Sequence, residues 1–308
     1  MNAAIRAVVR SALFYKLEVV GVYKGYKGLV NADFVPMNSK SVSKIINLGG
    51  TILQTSRCME FMTPEGRKQA YENMKKEGID ALVVIGGDGS FRGAKALFEE
   101  FGVPVVGIPA TIDNDIFGTD FTIGFDTAIN TAIDAIDKIR DTAMSHNNIF
   151  FVEVMGRHSG AIALSTGMAT GAEVTLIPEV EQDIDSLCNY LKIERRKNKT
   201  SGIIVVAEGS PLGSAEEVAA KVKERIPEYD TRISILGHIQ RGGSPSCNDR
   251  VLASLLGYDA VCALLDGKKG VMIGQVNNKT AYVPLSDACS KHNPIDKSIY
   301  EITKILSV

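Results

Sequence analysis

The chain of 308 residues is 45% hydrophobic and carries 34 Lys and Arg against 36 Asp and Glu, a net charge of -2. That balance offers no basic field for nucleic acid or an anionic membrane, the length suits one large or two ordinary domains, and no apolar run approaches the roughly 20 residues that span a bilayer. Five cysteines, Cys58, Cys188, Cys247, Cys262 and Cys289, are odd in number and never spaced as CxxC, which argues against a disulfide framework or a zinc site and for a reducing, cytoplasmic setting.

The sequence opens on MNAAIRAVVRSALFYK, where Ile5, Val8, Val9, Ala12 and Leu13 share one helical face and Arg6 and Arg10 share another. No acidic residue precedes Glu18, as in a transit peptide. Direct continuation into an apolar strand at 19–23 favours a surface helix of the fold instead. Val- and Ile-rich runs follow at 81–85, 103–108, 149–154, 174–177, 203–207 and 233–236. Their nearly continuous hydrophobicity is that of strands buried on both faces of a parallel sheet, with stretches such as FRGAKALFEEFG and AINTAIDAIDKIRD as crossover helices. The expected fold is α/β, with two Rossmann-like, doubly wound domains and mainly parallel sheets. A boundary is expected near Gly124, and ERRKNKTSG reads as a basic loop.

Sheets of this kind bind ligands outside the carboxyl ends of their strands. Five such ends carry polar, glycine-rich signals. GGDGS at 86–90 joins a strand to a helix; its glycines allow backbone N–H groups close to phosphate, and Asp88 is suited to magnesium. By itself the motif is also compatible with a tight turn or with a lipid or NAD kinase. PATIDND at 109–115 places Asp113 and Asp115 either side of Asn114, so that one carboxylate could act as general base while the other orients it or approaches metal. MGRHSG at 155–160, EGS at 208–210 and GHIQRGGSP at 237–245 add Arg157, His238 and Arg241, and Arg232 enters the last of the strands. Guanidinium groups bind phosphate bidentately, which points to an anionic substrate.

GGDGS, PATIDND, VEVMGR, AEGS and GHIQRGGSP, in this order and spacing, resemble the bacterial ATP-dependent 6-phosphofructokinase family across essentially the whole chain. The resemblance implies transfer of the ATP γ-phosphate to the C1 hydroxyl of fructose 6-phosphate, with Mg2+ as cofactor. Catalytic roles would fall to Asp113 as general base and to Arg157, Arg57 and Thr111. Arg57, Cys58, Gly87, Asp88, Gly89 and Ser90 match nucleotide-binding positions, Asp88 being the one that handles the metal. Thr111, Ile112, Asp113, Met155, Gly156, Arg157 and Glu208 match the sugar site. Arg232, His238 and Arg241 match the hold on the 6-phosphate, Arg232 reaching in from a neighbouring subunit, and Ile239 and Gln240 are counted with them as substrate-binding. Residues 1–124 and 240–290 would form the ATP-binding domain, and 125–239 and 291–308 the fructose 6-phosphate-binding domain.

An effector site for ADP or phosphoenolpyruvate is implied at Arg6, Arg10, Arg140, Gly171, Ala172, Glu173, Lys197, Lys199, Thr200 and Ser201, within a homotetramer. Small residues at Gly89 and Ala110, where pyrophosphate-using relatives commonly carry Asp and Lys, favour ATP as donor. The chain departs from the family pattern in three places. Ser39 and Lys40 stand where Arg and Tyr are more frequent, so altered nucleotide activation is expected. Asn148 stands where an Arg usually meets the 6-phosphate, so a raised KM is expected. The chain also begins after the family's first strand and Gly-Gly-Asp loop, which favours a misplaced start or a trimmed sequence. A non-catalytic regulatory subunit is the reading from another class.

Overall fold

The computed structural model describes residues 1–146, 148–196 and 201–307. In chain order, α1 (Asn2–Phe14), β1 (Val20–Val22), α2 (Tyr26–Asn31), β2 (Phe34–Pro36), α3 (Pro64–Glu77), β3 (Leu82–Gly86), α4 (Asp88–Phe101) and β4 (Val105–Pro109) come first. They are followed by α5 (Phe125–His146), β5 (Ile149–Val154), α6 (Ala161–Thr170), β6 (Val174–Leu176), α7 (Ile184–Arg196), β7 (Gly202–Ala207), α8 (Ala215–Arg225) and β8 (Thr231–Ile235). The chain closes with α9 (Cys247–Leu265), β9 (Val271–Val276), β10 (Lys279–Pro284), α10 (Leu285–Ser290) and α11 (Lys297–Leu306).

Two compact units result. The first holds Met1–Thr111, Ile116–Gly124 and Gly243–Asn293; the second holds Ile112–Asp115, Phe125–Gly242 and Pro294–Val308. This division differs from the expected one at 112–115 and 240–242, which group with the second unit, and at 291–293, which group with the first.

In the first unit the sheet order is β10-β9-β4-β3, with β3, β4 and β9 parallel and β10 antiparallel at one edge. Strand β4 alternates as a doubly covered strand must. Val106 and Ile108 pack with α1 and α9, whereas Val105 packs with α3 and α4 on the other face. Gly107 shares that second face because the Phe91 ring takes its place; an added Cβ would lie 2.7 Å from the ring. The strand expected at 19–23 forms as β1, but in a separate antiparallel ribbon with β2.

The second unit has the all-parallel order β6-β7-β5-β8. All six residues of β7 are buried. Ile203, Val205 and Ala207 pack with α5 and α6, while Ile204 and Val206 pack with α7 and α8. The expected α/β class with mainly parallel sheets is therefore the observed one.

Helix ends follow local chemistry. Thr63 caps α3 through Gly66 N–H ahead of Pro64, and Gly78 closes the helix in the left-handed region. Ser214 and Glu217 form a reciprocal capping box on α8.

Candidate active site

In the second unit, the segments after parallel strands β5 and β7 and a short 3-10 turn at Gly237–Arg241 after β8 lie at the carboxyl ends of the sheet. Arg157 adopts φ +52 and Gly156 φ +148. Glycine is required at 156, since a Cβ there would fall 2.4 Å from the Ser159 carbonyl oxygen. Glu208 steadies the start of this loop: its Oε2 accepts from the N–H groups of Arg157 at 3.0 Å and Gly156 at 3.3 Å. The fully buried Gln240 does the same one residue earlier, its Oε1 accepting from Met155 N–H at 2.9 Å. Its Nε2 is buried without a hydrogen-bond partner.

Asp113 is buried and Arg157 Nε lies 3.8 Å from its Oδ2. Burial raises the Asp113 pKa from its ordinary value, with Asp115 and Glu208 adding to the rise and Arg157 and Arg241 opposing it. The site thus holds a carboxylate of enhanced basicity beside an exposed, permanently charged guanidinium. Ile112 packs into the core under it.

In the first unit, β3 ends at Gly86 and α4 begins at Asp88, with Gly87 as its cap and no side chain bonded across the helix start. Ser90 N–H donates to the Gly87 carbonyl at 2.9 Å, which leaves the Asp88 and Gly89 N–H groups of the first turn to an anion. Gly86 is required because a Cβ would meet Ser90 Oγ at 2.4 Å, whereas one on Gly89 would meet nothing within 4 Å. Tyr26 braces the turn by donating its hydroxyl to the Ser90 carbonyl while its ring stacks on Phe61. Asp88 pairs with Arg92 through Oδ2, and its Oδ1 is buried without a hydrogen-bond partner. Arg57 is exposed, Cys58 and Ala110 half-buried, and the Thr111 carbonyl accepts from the Thr122 hydroxyl at 2.7 Å.

Within the second unit, Asp113, Met155, Gly156, Arg157, Glu208 and Gln240 are linked by these contacts, and Arg241 by charge. His238 and Ile239 are exposed on the same 3-10 turn. Arg232 is elsewhere: it pairs in register with Phe150 near the amino ends of the strands, exposed and bound to Asp230 at 2.8 Å. Asn148 is buried just before β5, its carbonyl accepting from Gly202 N–H.

The expected effector residues fall in both units. In the second, Arg140 donates to the Thr170 and Gly171 carbonyls and faces Glu173 at 3.8 Å, while Glu173 also accepts from Ile203 N–H. Ala172 is buried and Ser201 half-buried. In the first, Arg6 is half-buried, Arg10 is exposed, and Ser39 and Lys40 lie in an exposed turn closed by Asn38. Lys197, Lys199 and Thr200 lie outside the described residues.

Sequence reasoning passed over Glu179, which follows β6 and accepts from Gly160 N–H at 2.8 Å. A carboxylate shortly after a parallel strand, past Ile177 and Pro178, was the available signal. Among the described residues no group of three or more His, Cys, Asp or Glu forms a metal cluster, and no helix is long and apolar enough to cross a membrane.

The class is that of doubly wound α/β proteins whose ligands meet glycine-rich and charged loops at strand ends. The phosphofructokinase family model matches residues 1–264, and the chain belongs to that family. It is 53% identical over 308 residues to the ATP-dependent 6-phosphofructokinase 2 of Bacteroides thetaiotaomicron, covering 100% of this chain and 94% of that one. With the ATP-dependent 6-phosphofructokinase of Thermotoga neapolitana the identity is 55% over 307 residues, covering 100% and 95%. The structure of phosphofructokinase from Saccharomyces cerevisiae matches with a TM-score of 0.88 at 37% identity, covering 100% of this chain and 45% of that one. A pyrophosphate-dependent phosphofructokinase from Marinobacter aquaeolei shares the fold at a TM-score of 0.84, with 22% identity over 96% of this chain and 82% of that one.

Proposed function

We propose that this chain transfers the γ-phosphoryl group of ATP to the C1 hydroxyl of fructose 6-phosphate, giving fructose 1,6-bisphosphate and ADP, the committed step of glycolysis. The observation that carries the reading is Asp113, buried, of raised pKa and 3.8 Å from Arg157, in a chain 53% identical to an ATP-dependent 6-phosphofructokinase.

Ionised Asp113 accepts the C1 hydroxyl proton as the oxygen forms its bond to the γ-phosphorus and the bond from that phosphorus to the ADP oxygen breaks. A raised pKa makes it a stronger base than an ordinary carboxylate, and the Arg157 charge limits the rise. Phosphoryl transfer rests on positioning and on cations near the spreading charge, which suits Arg157 and Arg57. Gln240 Nε2, Arg241 and His238 supply donors for the sugar phosphate.

The donor set fits magnesium at Asp88: Oδ1 has no hydrogen-bond partner, and Mg2+ takes one or two carboxylates together with substrate phosphates. Bound there, the ion neutralises phosphate charge. The open space at Gly89 supports ATP over pyrophosphate. The same reading includes a cytoplasmic homotetramer with Arg232 serving a neighbouring subunit, and an ADP or phosphoenolpyruvate site at Arg140 and Glu173.

The test is a coupled spectrophotometric assay with fructose 6-phosphate and either donor. Turnover with ATP above that with pyrophosphate is expected. Better turnover with pyrophosphate, or calorimetric sugar-phosphate binding with no ATP turnover, overturns the proposal.

A further inference from the structure

The loop that carries Arg157 is gripped at both ends by carboxylates. Glu208 holds its start through the Gly156 and Arg157 N–H groups. Its end is held by Glu179, whose Oε1 accepts from Gly160 N–H at 2.8 Å. Between these grips the loop is tight: Ser159 N–H donates to the Gly156 carbonyl at 2.9 Å, and Ser159 Oγ accepts from Ala161 N–H at 3.3 Å.

Glu179 sits closely against what it holds. Its Oε2 is buried without a hydrogen-bond partner and lies 2.6 Å from where a Cβ on Gly160 would stand. Ile177 Cβ is also 2.6 Å from that point, so glycine alone fits between strand end and helix start. Gly160 is the cap of the ten-residue α6, and it has no side chain to bond the first N–H groups. Ser159 Oγ takes the first helical N–H, of Ala161, and Glu179 takes the cap residue's own N–H, bringing a carboxylate to the amino end of α6 where its charge favours the helix dipole.

We propose that Glu179 is a positioning residue for the reaction: by pinning Gly160 N–H it fixes the β5–α6 loop in the shape that brings Arg157 within 3.8 Å of Asp113. Arg157 is a non-glycine residue in the left-handed region, at φ +52. Such a backbone persists only where its surroundings over-determine it. Glu208 constrains the loop before the strained residue and Glu179 after it. With Glu179 removed, the loop relaxes from its free end and the guanidinium leaves the carboxylate. Nothing in this role requires Glu179 to touch a substrate. The inference rests on the reaction proposed at Asp113.

The full chain is assayed as wild type, Glu179→Ala, Glu179→Gln and Gly160→Ala, with melting temperatures recorded in parallel. Glu179→Ala is expected to lower kcat by about 10²-fold, the cost of a misplacement near 1 Å, with KM for ATP unchanged. Glu179→Gln keeps an oxygen for Gly160 N–H and is expected to recover most of that loss. Gly160→Ala displaces the carboxylate without removing it and is expected to reproduce the loss. If Glu179→Ala is unfolded at the assay temperature, Glu179→Asp replaces it; the acceptor is then one methylene short, and kcat is expected to fall the same way. Wild-type kcat in the alanine or aspartate variant, an equal loss in the glutamine variant, or a loss expressed in KM for ATP overturns the inference. An inactive wild-type chain would instead count against the proposed reaction, whereas an active one indifferent to these substitutions counts against Glu179 alone.

Discussion

Arg157 and Asp113 form an ion pair of unequal partners: 3.8 Å separates Nε from Oδ2, yet the arginine side chain is 61% exposed and the aspartate side chain 6%. The carboxylate is desolvated, while the guanidinium faces solvent. Because the carboxylate must be ionised to accept a proton, kcat is expected to fall as pH drops through the raised pKa of Asp113. Arg157→Ala removes an influence that lowers this pKa, so the acid limb of the kcat profile moves to higher pH. Asp113→Ser is expected to cut kcat by about 10²-fold or more, read in the steady-state assay.

The same carboxyl carries a stability cost. A group whose folded pKa lies above its unfolded value stabilises the fold fully below the unfolded pKa, and that contribution is lost as pH rises through the folded one. For Asp113 the direction is set first by burial, then by Asp115. Asp113→Asn is therefore expected to melt above wild type near neutral pH, with the difference shrinking in acid. Scanning calorimetry across pH measures it, and inactivity of the more stable variant would display the exchange of stability for function.

At Gly89 the space beyond the backbone is open, so Gly89→Asp is expected to leave the melting temperature unchanged. In the proposed nucleotide site the new carboxylate would face the phosphates of ATP. One like charge at 4 Å is worth about 1 kcal/mol even in water and more in a cleft, so KM for ATP is expected to rise by about tenfold. Titration of ATP at saturating sugar phosphate reads the effect.

Gly107 has no such room. Gly107→Ala puts a methyl 2.7 Å from the Phe91 ring in a closed layer, and overpacking of this kind costs about 1–3 kcal/mol. Urea unfolding is expected to show that loss. KM values at low temperature should stay near wild type, because Gly107 faces α4 rather than the strand ends.

The buried strands were legible because full burial suppresses the polar half of the pattern, as in GIIVVA of β7. Strands β9 and β10 escaped that reading. The hairpin's outer strand, KTAYVP, is an edge with most residues partly or wholly exposed, so it lacks the apolar run of an interior strand. The missed signal was Asn277-Asn278, both at positive φ, a two-residue hairpin turn. At the site, the loop motifs and the family resemblance pointed to Asp113, Arg157 and Glu208, but only the folded backbone joins Gln240 to Met155 across 85 positions. Arg232 shows the opposite limit: its motif is legible, and within one chain it lies near the amino ends of the strands whose other ends carry the site.

Residues 112–115 are a four-residue excursion of the second unit whose flanks, Thr111 and Ile116, belong to the first. The backbone also changes unit after Gly124, Gly242 and Asn293. Neither half is therefore a cassette that a single cut could release or a gene fusion could transplant. The proposed base travels on a staple of chain rooted at both ends in the other half, and division of the polypeptide would separate it from Arg157 or from its own anchorage.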